Sequence, residues 1–316
     1  MTSPSTAGAS IDGAKIVADV MAGLKGFQRK TVDHVFRRMY DDPNPATRFL
    51  VADEVGLGKT LVARGLIAKA IQRLQEQRVK RIDVLYICSN ADIARQNIQR
   101  LNVTGRSDFS LASRITLLPL ELHRLTANGL NFVSFTPNTS FTMASRTGTG
   151  RERAVLFHLL KKVLGTDALE HDGSYRLLQG SMGLQNFREM VASVGTLPLD
   201  NGLAKAFKVD LSARSDVRKR FRTLSRRLKV DEAGVAWNDR LDLILDLRKT
   251  LARSCIEALQ PDLVILDEFQ RFKELLCEPD PENPDDIHGL VHHQYEQKDM
   301  RVLLLSATPY KMYTLS

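Results

Sequence analysis

The sequence is poor in the residues that would build a disulfide framework, a cysteine metal site or a membrane anchor. Its 316 residues include three cysteines, Cys88, Cys255 and Cys277, which lie far apart and form no CxxC pair. This spacing argues against structural zinc and against disulfide bonds. No apolar run approaches the roughly 18 residues of a membrane-crossing helix, and the first residues lack the basic start and apolar stretch of a secretion signal. A cytoplasmic protein with no membrane partner is expected.

Aromatic residues are also few, at 6%, whereas charged residues make up 26% of the chain. The formal net charge is +8, and such a basic balance favours a polyanionic partner. The charge is unevenly placed, because ten basic residues lie between Lys205 and Lys229, while EPDPENPDD at 278–286 is acidic and rich in proline. The basic segment predicts a surface for phosphates, and the acidic segment predicts a solvated loop.

Short apolar runs alternate with helical patterns along much of the chain. The runs that predict strands are 47–52, 82–88, 114–118, 131–136, 262–267 and 301–307. The patterns that predict helices are 26–40, 59–77, 91–101, 151–164, 185–194, 214–229 and 237–259. Most apolar runs are continuous, which is typical of strands covered on both faces. Strands that alternate with helices predict an α/β fold with a mostly parallel sheet.

The region from 140 to 258 breaks this alternation, because it has helical patterns and no convincing buried strand. We interpret it as a large helical insertion in an α/β lobe made of residues 26–139 and 259–316. Residues 1–25 begin with a segment rich in serine, alanine and glycine and are predicted to be a flexible tail. Trp237, the single tryptophan, is expected to be a core anchor.

A glycine-rich turn follows the first predicted strand in FLVADEVGLGKT, residues 49–60. It ends as the phosphate loop GxxxxGK(S/T) ends, although Asp53 stands where the first glycine would be. Gly56 and Gly58 can adopt positive φ, so that backbone N–H groups turn towards a phosphate at the start of a helix. Lys59 would reach the β- and γ-phosphates, and Thr60 would hold Mg²⁺. The turn therefore predicts binding of ATP with Mg²⁺ by residues Glu54, Val55, Gly56, Leu57, Gly58, Lys59 and Thr60.

A second acidic segment, DLVILDEFQ, ends a predicted strand with Asp267 and Glu268. Ligands bind α/β sheets at the carboxyl ends of their strands, so Asp267 fits a Mg²⁺ ligand and Glu268 fits a base that orients the attacking water. The alternative is a surface acidic pair that caps the next helix. A third strand, RVLLLSATP, places the hydroxyls of Ser306 and Thr308 where they can hydrogen-bond to the acidic site, or where they form only a turn before Pro309.

The segments ADEVGLGKT, LVILDEFQ and LLLSATP, in this order, resemble motifs I, II and III of the superfamily 2 helicases and translocases. The form is that of the Swi/Snf-type branch and its bacterial relatives, in which an acidic DExGLGKT loop is usual. The resemblance implies a RecA-like P-loop NTPase lobe that hydrolyses ATP. Gln270 stands in motif II where many relatives have histidine, and it can bridge to Ser306 to couple ATP to motion.

The same resemblance implies further contacts with ligands. GFQRKTVDHVF resembles the segment in which an aromatic residue and a glutamine meet adenine, which gives Phe27 and Gln28, although Gln28 can also be a solvated residue of an amphipathic helix. YICSNADIARQN resembles motif Ia, whose strand end and helix start bind nucleic-acid phosphates, which gives Ser89 and Gln96. FTPNTSF contains either a further nucleic-acid contact, Thr136, or only a proline-bearing loop.

The predicted insertion contains the basic helix DVRKRFRTLSRRLK, 216–229. Its apolar residues Val217, Phe221, Leu224 and Leu228 recur at helical spacing and leave arginines on other faces. Arg222, Arg226 and Arg227 are candidates for contacts with a DNA backbone. The alternative is a charged helix face that is only solvated.

The resemblance covers about residues 26–311 and only the first of two RecA-like lobes. We expect a second lobe, in cis or in trans, to supply the arginine fingers that hydrolysis needs, and slow hydrolysis by this chain alone. The expected function is the ATP-binding motor lobe of a translocase or helicase, with DNA favoured over RNA. Similar lobes with helical insertions serve bacterial restriction or phage-defence systems, whose other proteins would be partners. The alternatives are a non-motor ATP switch that assembles with a protein partner, and an inactive scaffold.

Overall fold

The computed structural model describes residues 12–54, 56–89, 91–105, 114–122, 129–135, 146–169, 171–231, 233–259, 261–271 and 300–307. The helices are α1 (Gly13–Ala22), α2 (Gly26–Phe36), α3 (Lys59–Glu76), α4 (Ala91–Leu101), α5 (Gly150–Leu164), α6 (Asp172–Leu178), α7 (Leu184–Gly195), α8 (Asn201–Ala213), α9 (Ser215–Val230) and α10 (Trp237–Ala258). The strands are β1 (Arg48–Ala52), β2 (Ile82–Ile87), β3 (Leu130–Phe135), β4 (Leu263–Asp267) and β5 (Arg301–Ser306). A π-helical turn (Arg37–Asp41) follows α2.

The described strands form one parallel sheet in the order β1-β5-β4-β2-β3. Ala52 at the end of β1 lies opposite Ser306 of β5, and Asp267 at the end of β4 lies opposite Leu305. Because all strands run the same way, their carboxyl ends meet at one edge of the sheet. β1 and β4 are separated only by β5, which places the glycine-rich turn and the acidic segment at the same edge.

Helices cover both faces of this sheet, and the pleat of the strands shows it. In β4, Leu263 and Ile265 belong to a core shared with α2, α3 and α4. Val264 and Leu266 point the opposite way, into a core shared with α5 to α10. Continuous apolar strands are what burial on two faces requires. The region predicted as a helical insertion is thus the layer that covers the second face of the sheet.

Three predictions made from the sequence are wrong in detail. The run 114–118 is not a strand but part of a 3₁₀-helix (Ile115–Leu120), which shows that a short buried apolar run does not by itself distinguish the two structures. Residues 13–22 of the predicted flexible tail form α1, in which Asp12 caps the helix and Gly13 packs against Gln72 of α3. Trp237 is 47% exposed instead of a core anchor.

Two further helices, α6 and α8, were not predicted. α6 has only seven residues, whereas α8 has Leu203, Ala204, Phe207 and Leu211 at helical spacing, and this signal was overlooked. Among the helices in the described ranges, none combines the length and the apolar character that crossing a bilayer demands.

Candidate nucleotide site and nucleic-acid surface

The candidate site lies where the strands of the sheet end. The turn that follows β1 is bonded to β5, because the N–H of Asp53 donates to the carbonyl oxygen of Ser306 at 3.2 Å. Glu268 follows β4 directly, and Ser89 lies two residues beyond β2. The sheet itself therefore holds the glycine-rich turn and the acidic segment side by side.

The glycine-rich turn has the backbone conformation that its sequence predicts. Gly56 and Gly58 have φ values of 91° and 83°, which confirms that both adopt positive φ. Gly58 immediately precedes α3, and a side chain there would come within 2.5 Å of the Gln28 amide nitrogen. A Cβ atom added at Gly56 would have no neighbouring atom within 4 Å. The turn thus leads into the positive end of the α3 dipole, where an anion is stabilised.

Lys59 begins α3 and folds back over the turn. Its Nζ donates to the carbonyl oxygens of Asp53 and Glu54, both at 2.8 Å. The ammonium is therefore held inside the turn on neutral acceptors. A phosphate oxygen would add the attraction between opposite charges, which the neutral carbonyl oxygens do not offer.

Gln28 is buried, so the alternative of a solvated glutamine is wrong. Its Oε1 accepts from the backbone N–H of Lys25 at 2.9 Å, and its Nε2 donates to the carbonyl oxygen of Leu57 at 3.1 Å. Both the oxygen and the nitrogen of the amide thus form hydrogen bonds, and the bond to Leu57 holds the glycine-rich turn against α2. Phe27, the other residue expected to meet adenine, is exposed, as are Leu57 and Leu61.

Asp267 ends β4 and receives two hydrogen bonds on Oδ2. The hydroxyl of Tyr86 donates at 2.6 Å, and Nδ2 of Asn97 lies at 3.3 Å from the same oxygen. Burial is the largest influence on this carboxyl and raises its pKa; the Tyr86 bond lowers it, the charge of Glu268 raises it and the charge of Lys59 lowers it. The net pKa is raised. Lys59 is thus near enough to Asp267 to act on it electrostatically.

Glu268 has an unusual backbone for a residue with a side chain, since its φ is 55°. Its Oε2 accepts from Oγ of Ser89 at 3.0 Å and pairs with Nε of Arg271 at 2.9 Å. Ser89, which was predicted to contact nucleic acid, therefore lies on the acidic segment. The nearby Gln270 has a buried Oε1 that has no hydrogen-bond partner among the described residues.

The remaining predicted residues of the site are placed as follows. Ser306 is buried at the end of β5, between β1 and β4, and Thr60 is half-buried in the first turn of α3. Val55, Thr136 and Thr308 lie outside the described residues. No cluster of three or more His, Cys, Asp or Glu side chains that could hold a metal occurs in the described ranges.

The basic helix α9 has the orientation that its sequence predicts. Val217, Phe221, Leu224 and Leu228 are buried, and the side chains of Arg222, Arg226 and Arg227 are exposed. Arg222 and Arg226 are four residues apart and share one side of the helix, whereas Arg227 lies roughly 100° further round. Gln96, the predicted contact on α4, is also exposed.

Sequence reasoning missed Tyr86, Asn97 and Arg271. Tyr86 could have been noticed as a polar group within the apolar run IDVLYIC, but Asn97 lies in an ordinary amphipathic pattern. The contacts of Tyr86 and Asn97 depend on which strands are neighbours, and the local sequence does not encode that. Arg271, in contrast, pairs with Glu268 only three residues away along the chain. Comparisons of the chain with models of protein families, with curated proteins and with solved structures give no match, so the functional interpretation rests on the geometry of this edge and on the motifs.

Proposed function

We propose that the carboxyl edge of the sheet binds ATP with Mg²⁺ and that the chain is the ATP-binding motor lobe of a DNA translocase or helicase. The observation that carries the proposal is the convergence of Lys59 and Asp267. These residues are more than two hundred positions apart, yet the sheet brings them to one edge, because only β5 separates β1 from β4. Lys59 Nζ donates to the carbonyl oxygen of Asp53, whose N–H donates to Ser306 at the end of β5, and Asp267 lies opposite Leu305 of that strand. A cation and an acidic group beside a glycine-rich turn suit a phosphate and its metal ion.

The residues present fit this ligand. The turn at 53–58 and Lys59 would hold the phosphates, and Thr60 and Asp267 would hold Mg²⁺, which usually takes one or two protein ligands and completes its shell with phosphate oxygens and water. Bound Mg²⁺ neutralises charge on the phosphates, and Glu268 would orient the attacking water. The strand order, with β5 between β1 and β4, supports a RecA-like lobe, to which a second lobe would add arginine fingers.

The ion pair between Glu268 and Arg271 favours a second candidate function. Oε2 of Glu268 is already engaged by the Ser89 hydroxyl and by Arg271, so one of these contacts would have to be given up before this oxygen could hold an attacking water. A non-motor switch, which binds ATP and assembles with a protein partner, needs no attacking water. Titrations of ATP with and without a saturating DNA duplex separate the two functions, because hydrolysis by a lobe without arginine fingers is slow in either case. A duplex that changes the affinity for ATP supports the motor, and ATP binding that is unaffected by DNA supports the switch.

Neutralising Asp267 tests the nucleotide site directly. We expect Asp267→Asn to weaken binding of Mg²⁺·ATP by about tenfold or more, because a metal ligand of full charge is replaced by a neutral one. Titration calorimetry measures this change. Asp262→Asn is the matched control, since Asp262 is a half-buried carboxylate at the opposite end of the same strand. Equal affinity of Asp267→Asn and the wild-type chain for Mg²⁺·ATP would contradict the proposed site.

The basic side of α9 is tested by two neighbouring reversals. Arg226→Glu should weaken binding of a DNA duplex and lower the slope of log affinity against log salt by about 0.9, since one phosphate contact is lost. Arg227→Glu makes the same charge change on another side of the helix and should have a smaller effect. Mobility-shift titrations at several salt concentrations measure both. Unchanged affinity after reversal of Arg222, Arg226 and Arg227 together would show that this face is only solvated.

A further inference from the structure

Beneath the candidate metal ligand, two buried polar side chains converge on one atom. Tyr86 on β2 is 2% exposed and Asn97 on α4 is 8% exposed. The Tyr86 hydroxyl donates to Oδ2 of Asp267 at 2.6 Å, and Nδ2 of Asn97 donates to the Tyr86 hydroxyl at 2.8 Å and lies 3.3 Å from Oδ2. The three groups form a closed triangle of hydrogen bonds.

This triangle lies in an otherwise apolar environment. The Tyr86 ring belongs to the core shared by the sheet with α3 and α4, among side chains such as Ile265 and Ile98. A hydroxyl or an amide buried there costs free energy unless its hydrogen bonds are made. Phenylalanine and leucine would fill the same space without that cost. Among the described residues, the side-chain hydrogen bonds that compensate this burial are those that Tyr86 and Asn97 make with each other and with the carboxylate of Asp267.

We propose that Tyr86 and Asn97 are positioning residues that hold the Asp267 carboxylate in its metal-binding orientation, and that Asn97 thereby links α4 to the metal site. The inference rests on the proposed function, in which Asp267 is a ligand of Mg²⁺. Groups that hydrogen-bond a metal ligand fix its direction, and their loss typically lowers metal affinity about 10- to 100-fold. No other described residue donates a side-chain hydrogen bond to Asp267.

The link to α4 has a consequence for ligands that bind that helix. Gln96 is exposed on α4, and its neighbour Asn97 reaches the metal ligand through the core. A DNA duplex that docks on α4 and shifts the helix would alter the Asn97 bond and with it the affinity for Mg²⁺·ATP. By thermodynamic linkage, the nucleotide would change the affinity for DNA by the same factor.

The first experiment compares Tyr86→Phe with Tyr40→Phe. Tyr40 is the matched control, because its hydroxyl is also buried but has no hydrogen-bond partner to lose. Calorimetric titrations measure the affinity of each chain for ATP with Mg²⁺ and for ATP in EDTA. We expect Tyr86→Phe to weaken Mg²⁺·ATP binding about tenfold or more and to leave metal-free ATP binding unchanged. Tyr40→Phe should change neither.

The outcomes separate the inference from the proposed function. A wild-type chain that binds no nucleotide refutes the proposed function, and this inference with it. If the wild-type chain binds Mg²⁺·ATP and Tyr86→Phe binds it equally well, the inference alone is wrong. Equal weakening with and without metal would show that Tyr86 only supports the fold, which also overturns it.

The second experiment tests the link through α4 with Asn97→Leu. In the wild-type chain, a saturating DNA duplex should shift the affinity for Mg²⁺·ATP by a factor of about five or more, the lower end of ordinary coupling. Asn97→Leu should abolish this shift, whereas Gln99→Leu, at another exposed position of α4, should retain both the shift and the nucleotide affinity measured without DNA. A shift that persists in Asn97→Leu, or no shift in the wild-type chain, would overturn the link.

Discussion

Replacing Lys59 by methionine should weaken binding of Mg²⁺·ATP by about 100-fold. The ammonium now donates to two backbone carbonyls of the glycine-rich turn, and in the complex it would exchange them for phosphate oxygens. Because the carbonyl bonds are given up, the loss reflects the charge pair that forms with the phosphate. Truncating one partner of a close charge pair costs about 2 to 5 kcal/mol, which is a factor of about 30 or more in affinity. Methionine keeps most of the length of the side chain and removes the charge. Titration calorimetry with Mg²⁺·ATP measures the loss.

Lys69 provides the control on the same helix. It lies on the outer side of α3, where its Nζ pairs with Asp33 at 2.6 Å near the surface. Lys69→Met should therefore leave nucleotide affinity unchanged and cost at most about 1 kcal/mol of stability. If Lys59→Met bound the nucleotide as tightly as Lys69→Met, the glycine-rich turn would not be a phosphate site.

Local signals predicted the parts of the site that lie within one segment. The apolar runs at 47–52, 82–88, 131–136, 262–267 and 301–307 are strands within one residue or two, and Gly56 and Gly58 have the expected positive φ. These features need only neighbouring residues. The run at 114–118 was predicted to be a strand because its length and apolar composition fit one. In the structure it belongs to a 3₁₀-helix that contains Pro119 and buries Ile115 and Leu118.

Contacts between segments were the part that the sequence could not supply. Tyr86 reaches Asp267 because β2 pairs with β4, so that Tyr86 lies opposite Ile265 and Ile87 opposite Leu266. The same pairing brings Ser89 to Glu268. A pattern in β2 indicates a strand but does not name its neighbour. Ser89 was thus predicted to be a site residue, but the sequence did not indicate that its hydrogen-bond partner is Glu268.

A buried charge cluster joins the helical layer to the rest of the fold. Glu152 of α5 is 1% exposed; its Oε1 accepts from the hydroxyl of Thr116 at 2.6 Å and pairs with Nη2 of Arg248 at 3.0 Å. Burial raises the pKa of Glu152, but the charge of Arg248 and the hydrogen bonds from Thr116 and Thr149 outweigh it, so the pKa lies below its ordinary value. The cluster therefore stabilises the fold at neutral pH, and this contribution is lost as the pH falls through the lowered pKa.

Removing the cation of this cluster should be the most destabilising change in the helical layer. We expect Arg248→Ala to lower the free energy of unfolding by about 3 to 5 kcal/mol, because it leaves the Glu152 carboxylate buried without its main countercharge. Denaturant unfolding followed by circular dichroism and by the fluorescence of Trp237 measures the change. Arg253→Ala, which removes an exposed partner of Glu257 on the same helix, should cost about 0.5 kcal/mol or less.

The same unfolding experiment tests whether the helical layer and the sheet unfold together. Since Thr116, which bonds to Glu152, belongs to the segment before the helical layer, circular dichroism and Trp237 fluorescence should report one shared transition in the wild-type chain. Two separate transitions would show that residues 140–258 unfold as an independent unit, in spite of the core that they share with the sheet.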